Sequence, residues 1–138
     1  MTASASDILT TQKNNVVAIN AVAGFLQVLY NNIPTTQLSQ SAATTSVSTL
    51  YTANSKISAH LNTINICNTA SSAATFSIFI VPSGGTANPA NAVFYNTAIA
   101  ANTTTLWTGT LIIPAGATLR ASASATTVTF NIAGGAST

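Results

Sequence analysis

The spacing of hydrophobic residues changes once along the chain, near Pro34. Before that proline the spacing alternates between three and four, along a seam formed by Leu9, Gln12, Val16, Ile19, Ala23, Leu26 and Tyr30. Such heptad spacing is typical of an amphipathic helix that packs on another helix. The pattern predicts a helix from about Asp7 to Tyr30, with Ser6 or Asp7 as its N-cap and Asn31-Asn32-Ile33-Pro34 after its end.

After Pro34 the apolar residues alternate with a period of two or form short runs, as they do in β-strands. The pattern predicts strands over 47–52, 56–68, 75–81, 92–96, 103–108, 111–113, 118–123 and 128–132. The run over 75–81 is the most apolar and is expected to be central. In 56–68 the apolar phase switches near Asn62-Thr63, which predicts a bulge or bend.

Turn signals separate these strands, notably Pro82-Ser83-Gly84-Gly85 and Pro114-Ala115-Gly116. Many short strands at regular spacing favour an antiparallel β-sandwich or jelly roll. The predicted fold class is therefore mainly β, preceded by a coiled-coil-like helix. The chain divides into a helical anchor and oligomerisation segment over 1–33, a linker over 34–46 and a β-sandwich domain over 47–138.

Two partners are open for the helix: copies of itself in a bundle, or the β-domain of its own chain. Its side opposite the seam carries Thr10, Thr11 and Asn14 where a solvated helix usually has charges. The polar linker favours the bundle, because it can hold the helix away from the sheets. Heptads alone do not determine the number of copies.

Charge is the most unusual property of the composition, since only Asp7, Lys13, Lys56 and Arg120 are charged. Three basic residues cannot form the patch that phosphate neutralisation needs, so nucleic-acid binding is not expected. The most apolar helical stretch, 16–30, is interrupted by Asn20, Gly24 and Gln27, so membrane insertion is not expected either. Molecules with almost no surface charge repel one another weakly, which favours a protein that functions as part of an assembly.

Catalytic and metal-binding constellations are hard to build from this composition. His60 is the single histidine and Cys67 the single cysteine, and the one side-chain carboxylate lies in the predicted helix. A nucleophile needs a base and an orienting group nearby, and a metal needs several ligands. We therefore expect no enzyme, no metal and no cofactor, with His60 a strand residue and Cys67 a buried structural one.

Two small sets of residues are candidates for contacts with other molecules. Asp7 and Lys13, about two turns apart at most, are either exposed or dock on a larger partner. Trp107 and Tyr95 are either core residues or part of a platform on which a sugar stacks. The sequence alone leaves both pairs open.

Two groups of motifs resemble parts of known phage proteins. The opening Ser6-Asp7-Ile8-Leu9-Thr10-Thr11-Gln12-Lys13-Asn14, followed by Val17-Ala18-Ile19-Asn20, resembles the N-terminus shared by many small virion-associated proteins of tailed bacteriophages. The later motifs are similar to strands and turns of small phage β-sandwich domains: Ile66-Cys67-Asn68-Thr69, Val81-Pro82-Ser83-Gly84-Gly85 and Ile113-Pro114-Ala115-Gly116-Ala117-Thr118-Leu119-Arg120-Ala121.

The resemblance implies a constant helical anchor that docks on the particle and a variable β-module that projects from it. It implies a structural virion protein, assembled in the host bacterial cytoplasm, as an oligomeric fibre, whisker or head–tail accessory module. Its partners would be its own copies, as a homotrimer, and capsid, portal, neck or tail proteins. A tail tip that binds a receptor or host-surface glycan and a capsid decoration protein are the alternatives.

Overall fold

A computed structural model of the chain describes residues 35–136. These residues form eight strands: β1 (Thr36–Ala42), β2 (Ser48–Thr52), β3 (Ala59–Asn68), β4 (Ala74–Val81), β5 (Ala92–Ile99), β6 (Thr103–Ile113), β7 (Thr118–Ala123) and β8 (Val128–Ala136). A single turn of 3-10 helix, Pro89–Asn91, precedes β5. The predicted N-terminal helix, with its seam, Asp7 and Lys13, lies outside the described residues.

The strands form two four-stranded antiparallel sheets. Sheet A has the order β1-β8-β3-β6, and sheet B has the order β2-β7-β4-β5. Strand β1 pairs with β8, β2 with β7, β3 with β6 and β4 with β5. These pairs are those of one long hairpin rolled up so that it contributes strands to both sheets. The arrangement is a jelly roll, which confirms the prediction of a mainly β, antiparallel sandwich.

The core lies between the two sheets. Each sheet turns its alternate aliphatic residues inward, among them Ile64, Ile66, Ile78 and Leu119, all of them buried. The rings of Phe76 in sheet B and Phe130 in sheet A meet edge to face, with centroids 6.4 Å apart. Burying such side chains contributes about 1.5–3 kcal/mol each, so the inner faces hold the sheets together.

A bulge interrupts β3 where the sequence pattern changes phase. The register of β3 shifts between Leu61 and Thr63 against both neighbours, β6 and β8. Because side chains alternate across a strand, the extra residue lets both Leu61 and Ile64 point into the core. The predicted bulge near Asn62-Thr63 is confirmed.

Three local predictions are wrong. Residues 36–42, assigned to the linker, form β1, because backbone pairing with β8 needs no strong apolar pattern. The predicted strands 103–108 and 111–113 are one strand, β6, bent at Gly109-Thr110 opposite the β3 bulge. Strand β8 continues through Gly134-Gly135, and a side chain at Gly134 would collide with the β3 backbone at His60.

Candidate functional site

The described domain is nearly free of charge. Lys56 and Arg120 are its charged residues, and within 35–136 there is no side-chain carboxylate. Lys56 is exposed in the loop before β3. Arg120 is half-buried on the outer face of sheet B, where its Nε donates a hydrogen bond to Oγ1 of Thr118 at 3.0 Å. Apart from these two residues, the surface of the described domain is therefore made of hydroxyl, amide and apolar groups.

Polar amides run across the outer face of sheet A, the face turned away from sheet B. Asn131 lies opposite Gln40 on one side and Asn65 on the other. Gln37 Nε2 donates to Gln40 Oε1 at 2.9 Å and to Asn131 Oδ1 at 3.2 Å. The Oδ1 atom of Asn65 is buried and accepts no hydrogen bond within the described part of the chain.

Large apolar side chains stand on the same face at its open edge. Leu106 is 62% exposed and Ile112 is 55% exposed, and both project outward from the edge strand β6. Leu106 lies opposite Asn65, and Ile112 lies opposite His60. The face thus combines amides with exposed aliphatic groups and carries no charged residue.

These apolar positions were not among the predicted contact residues, although the sequence contains a signal for them. Leu106 is followed directly by Trp107, and Leu111 is followed by Ile112 and Ile113. Because neighbouring side chains of a strand point to opposite faces, one residue of each apolar pair must leave the core. Which residue leaves is decided by pairing with β3.

The predicted aromatic pair is placed on two different sheets. Trp107 is half-buried and packs against the core from β6 in sheet A. Tyr95 is 54% exposed on β5 in sheet B, with its ring 6.4 Å from that of Phe79 at an angle of 75°. The structure therefore does not combine the two rings into one platform, and Tyr95 is the exposed member of the pair.

A shallow cavity of about 190 Å³ lies in the outer part of sheet B, and Asn96, the residue that follows Tyr95, lines it. Its polar lining comes mainly from Thr75, Ser77, Asn96, Ser122 and Ser124. A second cavity, of about 270 Å³, lies among the amides of sheet A, beside Asn65 and Cys67. Hydroxyl and amide linings of this kind suit uncharged polar ligands or the side chains of another protein.

The single histidine and the single cysteine are far apart on the outer face of sheet A. Both are half-buried on β3, and a separation of seven residues corresponds to roughly 23 Å. Cys67 is thus not the fully buried residue that we expected. Residues 35–136 contain no group of three His, Cys, Asp or Glu that could hold a metal ion. Among the same residues, no helix has the length and apolarity needed to cross a bilayer.

The fold defines the class of the described domain as a jelly roll, and comparison with known proteins adds little to this. No protein-family model matches the sequence, and no curated protein matches it. A chain in a structure of the infectious bursal disease virus Gx strain is similar at 16% identity and a TM-score of 0.39. The similarity covers 74% of this chain and 30% of the virus chain. Function has to be argued from the residues of the chain itself.

Proposed function

We propose that the chain is a structural component of a tailed-bacteriophage particle, which acts as an oligomeric fibre, whisker or head–tail accessory module. The N-terminal segment anchors it, and the jelly-roll domain is the module that it carries. The resemblance of residues 6–20 to virion-associated proteins supports this assignment, and jelly rolls are common among viral structural domains. The partners are its own copies, as a homotrimer, and other proteins of the particle.

The observation that carries this proposal is the nearly uncharged outer surface. A free domain usually keeps itself soluble with charges over about a quarter of its residues, whereas Lys56 and Arg120 are the charged residues of 35–136. The exposed side chains of Leu106 and Ile112 add apolar area to this surface. Contact with other copies covers such a surface and removes the need for charge.

The same composition supports a protein without catalytic activity. His60 and Cys67 do not lie within reach of one another, and the described residues provide no carboxylate to orient either of them. Residues 35–136 do not bring together a group of donors and bases that could stabilise a transition state.

Native mass spectrometry of the full chain at micromolar concentration tests the assembly. The expected mass is that of three copies or a multiple of three. Replacing Ile19 and Leu26 by Asp within the predicted seam should break the three-copy unit, whereas Asn15→Asp, outside the seam, should leave it intact. A wild-type protein that stays monomeric contradicts the proposal.

Copy number on purified particles tests the location and separates a fibre from a decoration protein. Quantitative mass spectrometry of particles banded in a density gradient should find the chain at tens of copies or fewer. Hundreds of copies would indicate capsid decoration instead, since decoration follows the number of capsomer sites. Absence from washed particles would contradict a virion role.

Glycan binding is a second candidate function, favoured by one observation. Tyr95 is exposed, and Asn96, the residue that follows it, lines a cavity with hydroxyls and amides, the groups with which proteins bind sugars. A glycan array should then give hits that Tyr95→Ala removes and that Leu106→Ala, an exposed position on the other sheet, retains. An array without hits for the wild-type oligomer counts against it.

A further inference from the structure

The four edge strands of the sandwich differ in how well they are protected against pairing with another strand. Proteins usually guard edges with short strands, bulges, prolines or charges. Strand β2 has five residues and a register shift between Thr49 and Tyr51. Strand β1 has seven residues and shifts between Gln37 and Ser39. Strand β5 shifts twice and contains Asn96 with φ of 47°.

Strand β6 is less protected, since its pairing with β3 shifts only once, between Thr108 and Leu111, and is regular before that point. It is the longest strand of the described domain, with 11 residues, and contains neither proline nor charge. Residues 103–108 pair with β3 in unbroken register, which leaves a straight run of six residues at the open edge of sheet A. The backbone groups on the far side of this run have no strand to pair with in the described domain.

We infer that β6 pairs antiparallel with β6 of a second copy across a two-fold axis, so that two A sheets join into one continuous eight-stranded sheet. A second strand can satisfy the free backbone groups of an edge with regular hydrogen bonds, and every copy of this chain offers the same strand. Antiparallel pairing of two identical strands is self-complementary. This inference rests on the proposed self-assembly and adds a second contact, which joins two copies that belong to different three-copy units.

The side chains of β6 fit such a pair. With the two-fold axis at Leu106, that residue lies opposite its own copy, and Thr104 lies opposite Thr108 of the second copy. Leu106, which is 62% exposed, then contacts its equivalent, and threonines pair well across strands. No charged residue of residues 35–136 lies in sheet A, so the two copies meet without like-charge repulsion.

Cysteine cross-linking in the full chain tests the pairing directly. In a Cys67→Ser background, Leu106→Cys should form a disulfide between copies under mild oxidation, because directly opposed Cβ atoms lie about 4.5–5.5 Å apart, close to disulfide distance. Gln40→Cys, exposed on the opposite edge of the same sheet, is the matched control and should give little cross-linked dimer. Equal cross-linking of both variants would indicate random collision and overturn the inference.

A second variant tests the energetics. Leu106→Lys places two like charges opposite each other and should weaken this association at least tenfold, while Tyr95→Lys, on the edge of sheet B, should not. The emission of Trp107, the only tryptophan, reports the dissociation because it neighbours Leu106. Far-UV circular dichroism verifies that both variants are folded.

The results separate this inference from the proposed function. A three-copy unit that persists in Leu106→Lys, together with the Leu106→Cys cross-link, supports both. A wild-type oligomer whose Leu106→Cys variant does not cross-link overturns the β6 pairing and leaves the structural role standing. A wild-type chain that is monomeric at micromolar concentration overturns both.

Discussion

The side chain of Asn68 joins three loops at one end of the sandwich. It is fully buried at the end of β3, where its Nδ2 donates to the carbonyl oxygens of Ser72 at 2.8 Å and Ala100 at 3.2 Å. Its Oδ1 accepts from the backbone N of Ala70 at 3.1 Å and from Oγ1 of Thr127 at 3.4 Å. Every hydrogen-bonding group of this buried amide therefore has a partner, as burial of a polar group requires.

Asn68→Ala should destabilise the domain by about 2–3 kcal/mol, because it removes all four hydrogen bonds that this fully buried amide makes with the three loops. Asn65→Ala is the control on the same strand, since Oδ1 of Asn65 has no partner among the described residues, and it should cost less than about 1 kcal/mol. Urea denaturation followed by circular dichroism measures both. Equal losses would show that the Asn68 network contributes little.

Gly134 is required by the close approach of two backbones. A Cβ at this position would collide with the carbonyl group of His60 beside the β3 bulge. Gly134→Ala should therefore cost about 3 kcal/mol or prevent folding, because a backbone carbonyl cannot rotate away.

The matched comparison is Gly109→Ala. Its new Cβ would approach the ring of Trp107 at 2.8 Å, and a half-buried side chain can shift. It should give a smaller loss together with a change in tryptophan emission. Thermal unfolding measures both variants. A lower unfolding temperature for Gly109→Ala than for Gly134→Ala would contradict this explanation.

At the scale of elements, the shape of β5 depends on one hydroxyl group. Two register shifts bend β5 away from regular pairing with β4, and Asn96 adopts a left-handed φ of 47° there. The Oγ of buried Ser77 on β4 accepts a hydrogen bond from the backbone N of Asn96 at 2.9 Å. The hydroxyl thus takes the place of a carbonyl that the bulge moves out of register.

Ser77→Ala should destabilise the domain by about 1–2 kcal/mol, because it leaves the Asn96 N–H without this acceptor. Asn96→Gly should be neutral or stabilising, since glycine adopts positive φ freely, whereas Asn96→Val should be unfavourable. Ser122→Ala, at the position paired with Ser77 on β7, is the control and should have a small effect. Chemical denaturation measures the stability of the four variants. Equal losses for Ser122→Ala and Ser77→Ala would contradict the role given to the Ser77 hydroxyl.

At the scale of the whole molecule, stability comes from apolar burial and backbone pairing and owes little to charge. Lys56 and Arg120 have no carboxylate partner within residues 35–136. Unfolding temperature should therefore change by less than about 2 °C between 20 and 300 mM NaCl, as residues 35–136 contain no ion pair that salt could screen.

A variant with an added charge supplies the comparison for this prediction. Thr49 lies directly opposite Arg120, so Thr49→Glu creates a cross-strand ion pair whose small contribution falls as salt rises. Differential scanning calorimetry at the two salt concentrations measures both proteins. A strong dependence on salt in the wild type would show that charged residues stabilise the assembly.

The candidate surface was less predictable than the fold. Tyr95 and Trp107 were both candidates from residue type, yet only Tyr95 faces outward, because the choice depends on which strand pairs with which. The exposure of Leu106 was not predicted. The adjacent Leu106 and Trp107 indicate only that one of the two leaves the core, and the strand order decides which one lies on an unprotected edge. The anchor seam from Leu9 to Tyr30 and the docking pair Asp7 and Lys13 stay predictions.

The sequence by itself determined the features that arise between neighbouring residues. Period-two alternation determined the β class, glycine and proline determined the turn after β4, and the phase switch near Asn62 determined the bulge of β3. Only the tertiary structure decided that residues 36–42 form a strand, that β8 passes through two glycines and that β6 is an open edge. These features depend on strands that are distant in sequence. A local pattern contains no information on how closely such strands approach or which of them pair.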